Sequence, residues 1–191
     1  MAAPLFAHPE LSRLGEELRV VKERYAAACR EAARIDRVGS YTFQTGAGPR
    51  TLSDLFGEKR DLIVVHNMGR ACVYCTTWAD GLSGLGAHLS DRAGFALSSP
   101  DPVEVQREFA ASRGWRFPLV STAGTTFAAD MGFERDGKAL PGFSAFTRDA
   151  RGVISRVGAS VFGPGDDFCA LWPMMDQLRG GVDGWTPKYA Y

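Results

Sequence analysis

Two cysteines separated by two residues, Cys72 and Cys75, are the pair in this chain whose type and spacing best support chemistry. At this spacing both sulfurs lie within one helical turn, close enough to form a disulfide. If the first cysteine begins a helix, the unpaired amides and the positive end of the helix dipole stabilise its thiolate. The pattern therefore predicts dithiol redox chemistry, with Cys72 as the attacking thiol and Cys75 as the resolving thiol.

The residues on either side of the pair predict the elements that would place it at a helix start. The apolar run 62–65 predicts a buried strand, and residues 66–71 predict a short loop. After the cysteines, Trp78 and several leucines recur at helical spacing and predict a helix with one apolar face. A strand, a loop and then Cys-x-x-Cys at a helix start is the arrangement that dithiol chemistry needs.

Three residues near the pair are candidate neighbours of the site. Arg70, two residues before Cys72, is a cation that could lower the pKa of the thiol. Tyr74 is expected to be exposed at the helix start, where it either shapes substrate contact or packs on the surface. His66 either acts as an acid or base during exchange or bonds to the backbone of the loop.

Neither the other two cysteines nor the residues that could bind a metal predict a further site. Cys29 and Cys169 are interpreted as buried free thiols, although a distant resolving role for Cys169 stays open. The dithiol and His66 together lack a second Cys-x-x-Cys or a His-x-x-x-His that would complete a four-ligand set. We therefore expect neither a metal nor an organic cofactor. A redox-inactive protein in which both cysteines are small buried residues remains an alternative.

The composition is that of an ordinary globular protein: 191 residues, of which 45% are hydrophobic and 23% charged. The 22 basic and 22 acidic residues balance, so the chain carries no charge excess for nucleic acid or an anionic membrane. No apolar stretch approaches the roughly 20 residues of a membrane-spanning helix. The start of the chain predicts no signal peptide. Together with the few cysteines, these features predict a cytoplasmic protein.

The pattern along the chain predicts an α/β fold. An amphipathic helix over 10–35 would cover the core or a partner subunit, and a hairpin follows near 41–56. Strands and helices then alternate, with strands at 94–98, 143–147 and 153–157 and helices at 103–113, 125–131 and 166–179; residues 117–120 precede the short helix over 125–131. Asp101 is the predicted N-cap of the helix over 103–113. The order predicts a helical extension over 1–38 and one α/β domain over 39–191.

Residues 41–133 resemble the peroxiredoxin and alkyl hydroperoxide reductase branch of the thioredoxin superfamily. The matching segments are 52–57, 62–65, 98–102, 117–121 and 127–133. The resemblance implies a thioredoxin-like fold, with a mixed central sheet flanked by helices, an N-terminal helical extension and a β-hairpin. The sequence lacks the Pro-x-x-x-Thr/Ser-x-x-Cys loop of peroxiredoxins, and Ala71 stands where thioredoxins carry a tryptophan.

Nearly the whole chain resembles a bacterial family of unknown function with a thioredoxin-like fold, domain of unknown function 899. Its Cys-x-x-Cys followed by Trp-Ala-Asp corresponds to residues 72–80, and its Pro-Gly-Val-Ser-Val-Phe strand to residues 141–146. By resemblance to thioredoxins, Ser144 would take the place of the cis-proline that faces the disulfide. The alternative for Ser144 is an ordinary strand serine.

These observations predict thiol–disulfide exchange on a protein or small-molecule disulfide, with electrons from a cellular thiol reductant. A thiol peroxidase is the second candidate, and a redox-inactive or metal-binding module is the third. The amphipathic helix over 10–35 and the aromatic residues of the 185–191 segment suggest a homodimer.

Overall fold

The helices and strands follow one another along the chain in the order of an α/β protein. In the computed structural model, which describes residues 5–191, they are α1 (Pro9–Ala32), β1 (Thr42–Phe43), β2 (Arg50–Thr51), β3 (Asp61–His66), α2 (Val73–Arg92), β4 (Gly94–Ser99), α3 (Val103–Arg113), β5 (Leu119–Ser121), α4 (Phe127–Asp130), β6 (Glu134–Arg135), β7 (Lys138–Ala139), β8 (Gly142–Arg148), β9 (Ile154–Val161) and α5 (Leu171–Met175). Within this range, none of the helices combines the length and the hydropathy needed to cross a membrane.

Five strands form the central sheet in the order β5-β4-β3-β8-β9. β4 runs parallel to both β3 and β5, whereas β8 runs antiparallel to both β3 and β9. The parallel part follows from two strand–helix–strand units, which cross over through α2 and α3. The predicted mixed sheet is confirmed, and the short antiparallel pair β1–β2 precedes it as expected.

Two cores cover the two faces of the sheet, because successive side chains of a strand point to opposite faces. Leu62 and Val64 of β3 belong to one cluster together with Phe127 of α4, which we call the Phe127 core. Val65 belongs to the other cluster together with Trp78 of α2, which we call the Trp78 core. Consequently α2, with the two cysteines at its start, lies on the face of the sheet opposite the Phe127 core.

The apolar stripe of α1 is exposed. The helix begins at Pro9, where proline is favoured because the first-turn amides have no partner within the helix, and no residue within the helix is buried. Leu11, Leu14, Leu18 and Val21 are between 44% and 56% exposed. The helix contacts β9 at one edge of the sheet. Of the two predicted roles, a cover for the core is therefore wrong for this stripe, and a cover for a partner subunit stays a prediction.

The last helix is shorter than the sequence predicts. α5 covers only Leu171–Met175 instead of 166–179. The side chain of Asp166 binds three backbone amides in the segment 163–169 and holds that segment in turns. Pro173, inside α5, has no amide hydrogen to donate and shortens the helix further.

Candidate active site

Cys72 is the residue immediately before α2, and its thiol occupies the capping position of that helix. Its backbone is extended, with φ −99° and ψ 103°, and its Sγ accepts a hydrogen bond of 3.2 Å from the amide of Cys75. Its carbonyl accepts a helical hydrogen bond of 3.0 Å from the amide of Thr76. The sulfur therefore takes the place that a serine or aspartate oxygen usually takes at a helix start.

Cys75 lies one turn deeper than Cys72. It is only 3% exposed, whereas Cys72 is half-buried and reaches the surface. Both are free thiols. Cys72 is therefore the sulfur that a substrate can reach, and Cys75 lies behind it within the same turn.

The two thiols differ strongly in acidity because of their surroundings. The hydrogen bond from the Cys75 thiol is the largest cause that lowers the pKa of Cys72 to about 6; burial opposes it, and the amides of Cys75 and Tyr74 add to it. The same hydrogen bond, followed by burial, raises the pKa of Cys75. Near neutral pH the pair therefore carries one negative charge, which rests on Cys72. This is the protonation state that nucleophilic attack by Cys72 requires.

The loop between β3 and α2 is held by a buried amide side chain that the sequence analysis did not single out. Asn67 is 7% exposed, and its Oδ1 accepts a hydrogen bond of 2.8 Å from the amide of Gly69. Its Nδ2 donates to the carbonyl of Cys75 over 3.4 Å. One side chain thus ties the beginning of the loop to the first turn of α2.

Asp101 holds the same loop from outside. Its Oδ2 accepts a hydrogen bond of 2.6 Å from the amide of Arg70. The prediction of Asp101 as an N-cap is therefore wrong: α3 is preceded by Pro102, without a side-chain cap. Gly69 has φ +98°, and a Cβ added there would lie 2.9 Å from the carboxylate of Asp101. Both its conformation and the lack of space require glycine at position 69.

Arg70 and Tyr74 lie beside the dithiol, but differently from what the sequence predicts. Arg70 is exposed, and the groups that lower the pKa of Cys72 are Cys75 and the amide of Tyr74 rather than the Arg70 guanidinium. Tyr74 is half-buried instead of exposed. Its ring centroid lies 6.2 Å from that of Trp78 and 6.3 Å from that of Trp172. Tyr74 therefore anchors the first turn of α2 to the Trp78 core.

His66 and Ser144 are brought together, but on the other face of the sheet. His66 Nε2 lies 2.9 Å from Ser144 Oγ, and both residues are buried. Ser144 pairs in register with Val64, a member of the Phe127 core, and the His66 ring stacks on Phe133 with centroids 4.0 Å apart. The expected position of Ser144 across from the dithiol is corrected, because the alternation of the strand turns its side chain away from α2.

The imidazole of His66 is neutral in this environment. Burial, followed by the charge of Arg156, lowers the pKa of His66 to about 3. Its Nδ1 is buried without a hydrogen-bond partner among the described residues. His66 therefore does not face the dithiol, and near neutral pH it is the neutral imidazole rather than the imidazolium.

The remaining cysteines lie outside this arrangement. Cys169 is buried in the Trp78 core, as predicted, and burial raises the pKa of its thiol. Cys29 is half-buried on α1 rather than buried. Over residues 5–191, no group of three or more histidine, cysteine, aspartate or glutamate side chains could hold a metal ion.

The family of bacterial proteins of unknown function DUF899 matches residues 7–185. The chain belongs to this family. The match extends from the start of α1 to the segment after α5, and it confirms the resemblance seen in the sequence. Among curated proteins, none matched the chain.

Solved structures similar to this DUF899 protein include peroxiredoxins. The peroxidoxin BcpB of Mycobacterium tuberculosis is 27% identical with a TM-score of 0.54, covering 66% of this chain and 83% of that one. PrxQ of Xylella fastidiosa is 21% identical with a TM-score of 0.53, covering 68% and 87%. A hypothetical protein of Sinorhizobium meliloti is 16% identical with a TM-score of 0.50, covering 80% and 86%. These likenesses confirm the predicted thioredoxin-like fold.

The sequence analysis of this DUF899 protein missed Asn67, which holds the loop before Cys72, and gave Asp101, which holds the same loop, a different role. Asn67 directly follows β3, so its position after a buried strand is a signal that could have found it. The role of Asp101 depends on a contact between segments far apart in sequence.

Proposed function

We propose that this protein is a thiol–disulfide oxidoreductase in which Cys72 attacks a disulfide substrate and Cys75 resolves the mixed disulfide. The observation that carries the proposal is the capping position of Cys72 Sγ, 3.2 Å from the amide of Cys75, where its pKa is about 6. The similarity of the fold to peroxiredoxins supports a redox role in general.

Each step of the proposed exchange conserves atoms and electrons. The Cys72 thiolate attacks one sulfur of the substrate disulfide, forms a mixed disulfide and releases the other half as a thiolate that takes up a proton. Cys75 then loses its proton and attacks Cys72 Sγ, which releases the second half and leaves a Cys72–Cys75 disulfide. Two electrons have passed to the substrate, and a cellular thiol reductant returns them by the reverse exchange. We place this cycle in the cytoplasm, where such reductants are maintained.

The surroundings of Cys75 change during the reaction, and this change determines when Cys75 can attack. While Cys72 is a thiolate, the hydrogen bond between the two sulfurs raises the pKa of Cys75 and keeps its proton in place. Once Cys72 is bonded to substrate, its charge is gone and this cause disappears. Cys75 then becomes more acidic at the stage at which its attack is needed.

Reduction of disulfides by the purified protein with a thiol reductant tests the proposal. We expect Cys72→Ser to abolish the reduction of insulin and of small disulfides. Cys75→Ser should instead accumulate a covalent mixed disulfide with the substrate, visible by mass spectrometry. Cys29→Ser, on α1, serves as the control and should retain activity. Equal activity of wild type and Cys72→Ser would refute the assignment.

Peroxide reduction is the second candidate, favoured by the 27% identity to a protein described as a peroxidoxin. The Cys72 thiolate would attack one peroxide oxygen and form a sulfenic acid with release of an alcohol or water. Cys75 would then displace water from the sulfenic acid to form the disulfide, which a thiol reductant reopens. Thiol-dependent peroxide consumption that exceeds disulfide reduction, and that Cys72→Ser abolishes, would favour this candidate.

A further inference from the structure

A groove of about 580 Å³ separates the second half of α1 from the edge of the central sheet. It runs between α1 on one side and β8 and β9 on the other, and the segment 163–169 borders it. Small-molecule sites in proteins have volumes of about 300–1,000 Å³, so this space is large enough for a small ligand. We call it the α1 groove; the residues that line it include Ala26, Cys29, Arg30, Phe143, Val157 and Phe168.

The walls of the α1 groove are mainly apolar, and contacts within the fold hold them in place. The rings of Phe143 and Phe168 meet edge-on, with centroids 5.1 Å apart. The amide of Phe168 donates a hydrogen bond of 2.8 Å to the carboxylate of Asp166, which fixes the backbone at this position. Phe168 is 39% exposed and Val157 is 41% exposed. An apolar body lying in the groove would remove this surface from water.

The charged side chains that line the α1 groove differ in what they already bind. Lys22 Nζ lies 2.7 Å from the carboxylate of Asp167. The carboxylate of Asp166 already accepts hydrogen bonds from Trp78 Nε1 and from three backbone amides. Arg30, in contrast, has neither an ion pair nor a side-chain hydrogen bond in the part of the chain that the structure describes. Its guanidinium therefore keeps five N–H donors for an anion from outside.

The side chain of Arg30 is anchored on the sheet. A Cβ added at Gly158 of β9 would lie 3.5 Å from Arg30 Cγ, so the aliphatic part of Arg30 packs on the backbone of β9. Lys22, paired with Asp167, lines the groove eight residues earlier, which corresponds to about 12 Å along the helix axis. The α1 groove thus combines apolar walls over roughly this length with an available cation at one end.

We propose that the α1 groove binds a small amphiphilic carboxylate, with the carboxylate on the Arg30 guanidinium and the apolar body between Phe143 and Phe168. A guanidinium and a carboxylate form two parallel N–H···O hydrogen bonds. The apolar walls favour a hydrocarbon body, and a medium-chain fatty acid such as decanoate has both parts. Neither Cys72 nor Cys75 lines the groove, so this inference is independent of the proposed exchange.

Calorimetric titration with decanoate, and with decanol as its uncharged counterpart, tests the role of Arg30. We expect wild type to bind decanoate about tenfold more tightly than decanol, the difference expected of one charge-assisted contact. Arg30→Gln should lose this preference, and Arg30→Lys should retain part of it. Arg24→Gln, on α1 but outside the groove, is the matched control and should bind as wild type does. No binding of decanoate, or an unchanged preference in Arg30→Gln, overturns the proposal.

The thiol of Cys29 tests whether the ligand lies in the α1 groove, because this half-buried side chain lines it. We expect decanoate to slow the reaction of Cys29 with N-ethylmaleimide, read on the Cys29 peptide by mass spectrometry. Ala26→Trp, at an exposed position of α1, should fill the groove and abolish the binding of decanoate and of decanol. Circular dichroism checks that this variant keeps the wild-type fold.

Two results would overturn the location or the ligand. Decanoate that binds without slowing Cys29, or that still binds to folded Ala26→Trp, lies elsewhere on the protein. Without decanoate, a reaction of Cys29 that slows as the protein concentration rises would assign the groove to a second copy of this chain. Neither measurement uses disulfide reduction, so a failure of the proposed function leaves both readouts intact.

Discussion

Asp101 Oδ2 and the amide nitrogen of Arg70 lie 2.6 Å apart, although the two residues are 31 positions apart in the sequence. Asp101 follows β4 and Arg70 follows β3, so the contact joins the carboxyl ends of two neighbouring parallel strands. It fixes the loop that leads to Cys72. The capping position of the reactive sulfur therefore depends on a carboxylate outside its own helix.

Replacement of Asp101 by alanine should slow the alkylation of Cys72 at neutral pH. The amide of Arg70 loses its acceptor, the loop loosens, and the sulfur leaves the amides that stabilise its charge. We expect the free energy of unfolding to fall by about 1–3 kcal/mol. Alkylation kinetics and denaturant unfolding measure the two effects. Asp91→Ala, at an exposed position late in α2, is the control, and an equal effect of both variants would contradict the explanation.

The alkylation rate of Cys72 should rise with pH and reach half of its maximum near pH 6, the pKa of its thiol. Cys75→Ala should move this midpoint to higher pH, because the hydrogen bond from the Cys75 thiol is the largest cause of the lowered pKa. Iodoacetamide kinetics over a range of pH, read on the Cys72 peptide, provide the measurement. A wild-type midpoint near the ordinary cysteine value of about 8.5 would rule out a stabilised thiolate.

The buried imidazole of His66 should make the protein sensitive to acid. Its pKa is about 3 in the fold, because of burial and of Arg156, and about 6.5 in the unfolded chain. Between these values the unfolded chain binds a proton that the folded protein does not, so stability falls as the pH falls from about 6.5 towards 3, by at most ~1.4 kcal/mol per pH unit.

A double variant, His66→Phe with Ser144→Ala, removes the titrating group and its partner together. Denaturant unfolding at neutral pH and near pH 4 should then show a smaller loss of stability than in wild type. A loss as large as that of wild type would assign the acid sensitivity to other groups.

Asp166→Ala should destabilise the fold by at least about 2 kcal/mol. Its carboxylate accepts a hydrogen bond of 3.0 Å from Trp78 Nε1 and binds three amides of the segment 163–169, and alanine leaves all of these donors without a partner. Asp167→Ala, at the neighbouring position, is the matched control. It removes only an exposed ion pair with Lys22 and should cost less than about 1 kcal/mol by denaturant unfolding.

The exposed stripe of α1 predicts a homodimer. Leu14 and Leu18 are 44% and 53% exposed, and burying such side chains against a second copy removes them from water. We expect light scattering to give a dimer for wild type and a monomer for Leu14→Lys with Leu18→Lys. A wild-type monomer at high protein concentration would remove this prediction.

The sequence predicts the dithiol and its helix well because these features are local. Cys72 and Cys75 are three residues apart, and an apolar run precedes them, so one turn of regular geometry decides their relation. The mixed sheet is also predictable, since strands and helices alternate in short units. The local pattern gave the wrong position for Ser144. The apolar run 62–65 does not reveal which face of the sheet each residue of β3 takes, and Ser144 shares the face of its partner Val64.

Contacts between distant segments could not be predicted from the pattern. Asp101 resembles a helix cap in the sequence, and only the neighbouring loop gives it a different hydrogen bond. Tyr189 belongs to a segment without a periodic pattern, and its carbonyl is held by a hydrogen bond from the distant Arg113. The 166–179 segment resembles a helix until the hydrogen bonds of Asp166 are known.

The sulfur that caps α2 also sets the direction in which electrons tend to flow. The amides and the Cys75 thiol stabilise the reduced, charged form, and a Cys72–Cys75 bond would remove that charge. The reduction potential of the couple is thereby shifted towards more positive values than that of an uncapped pair. In a glutathione buffer, the dithiol form would accordingly predominate over a wider range of oxidising conditions.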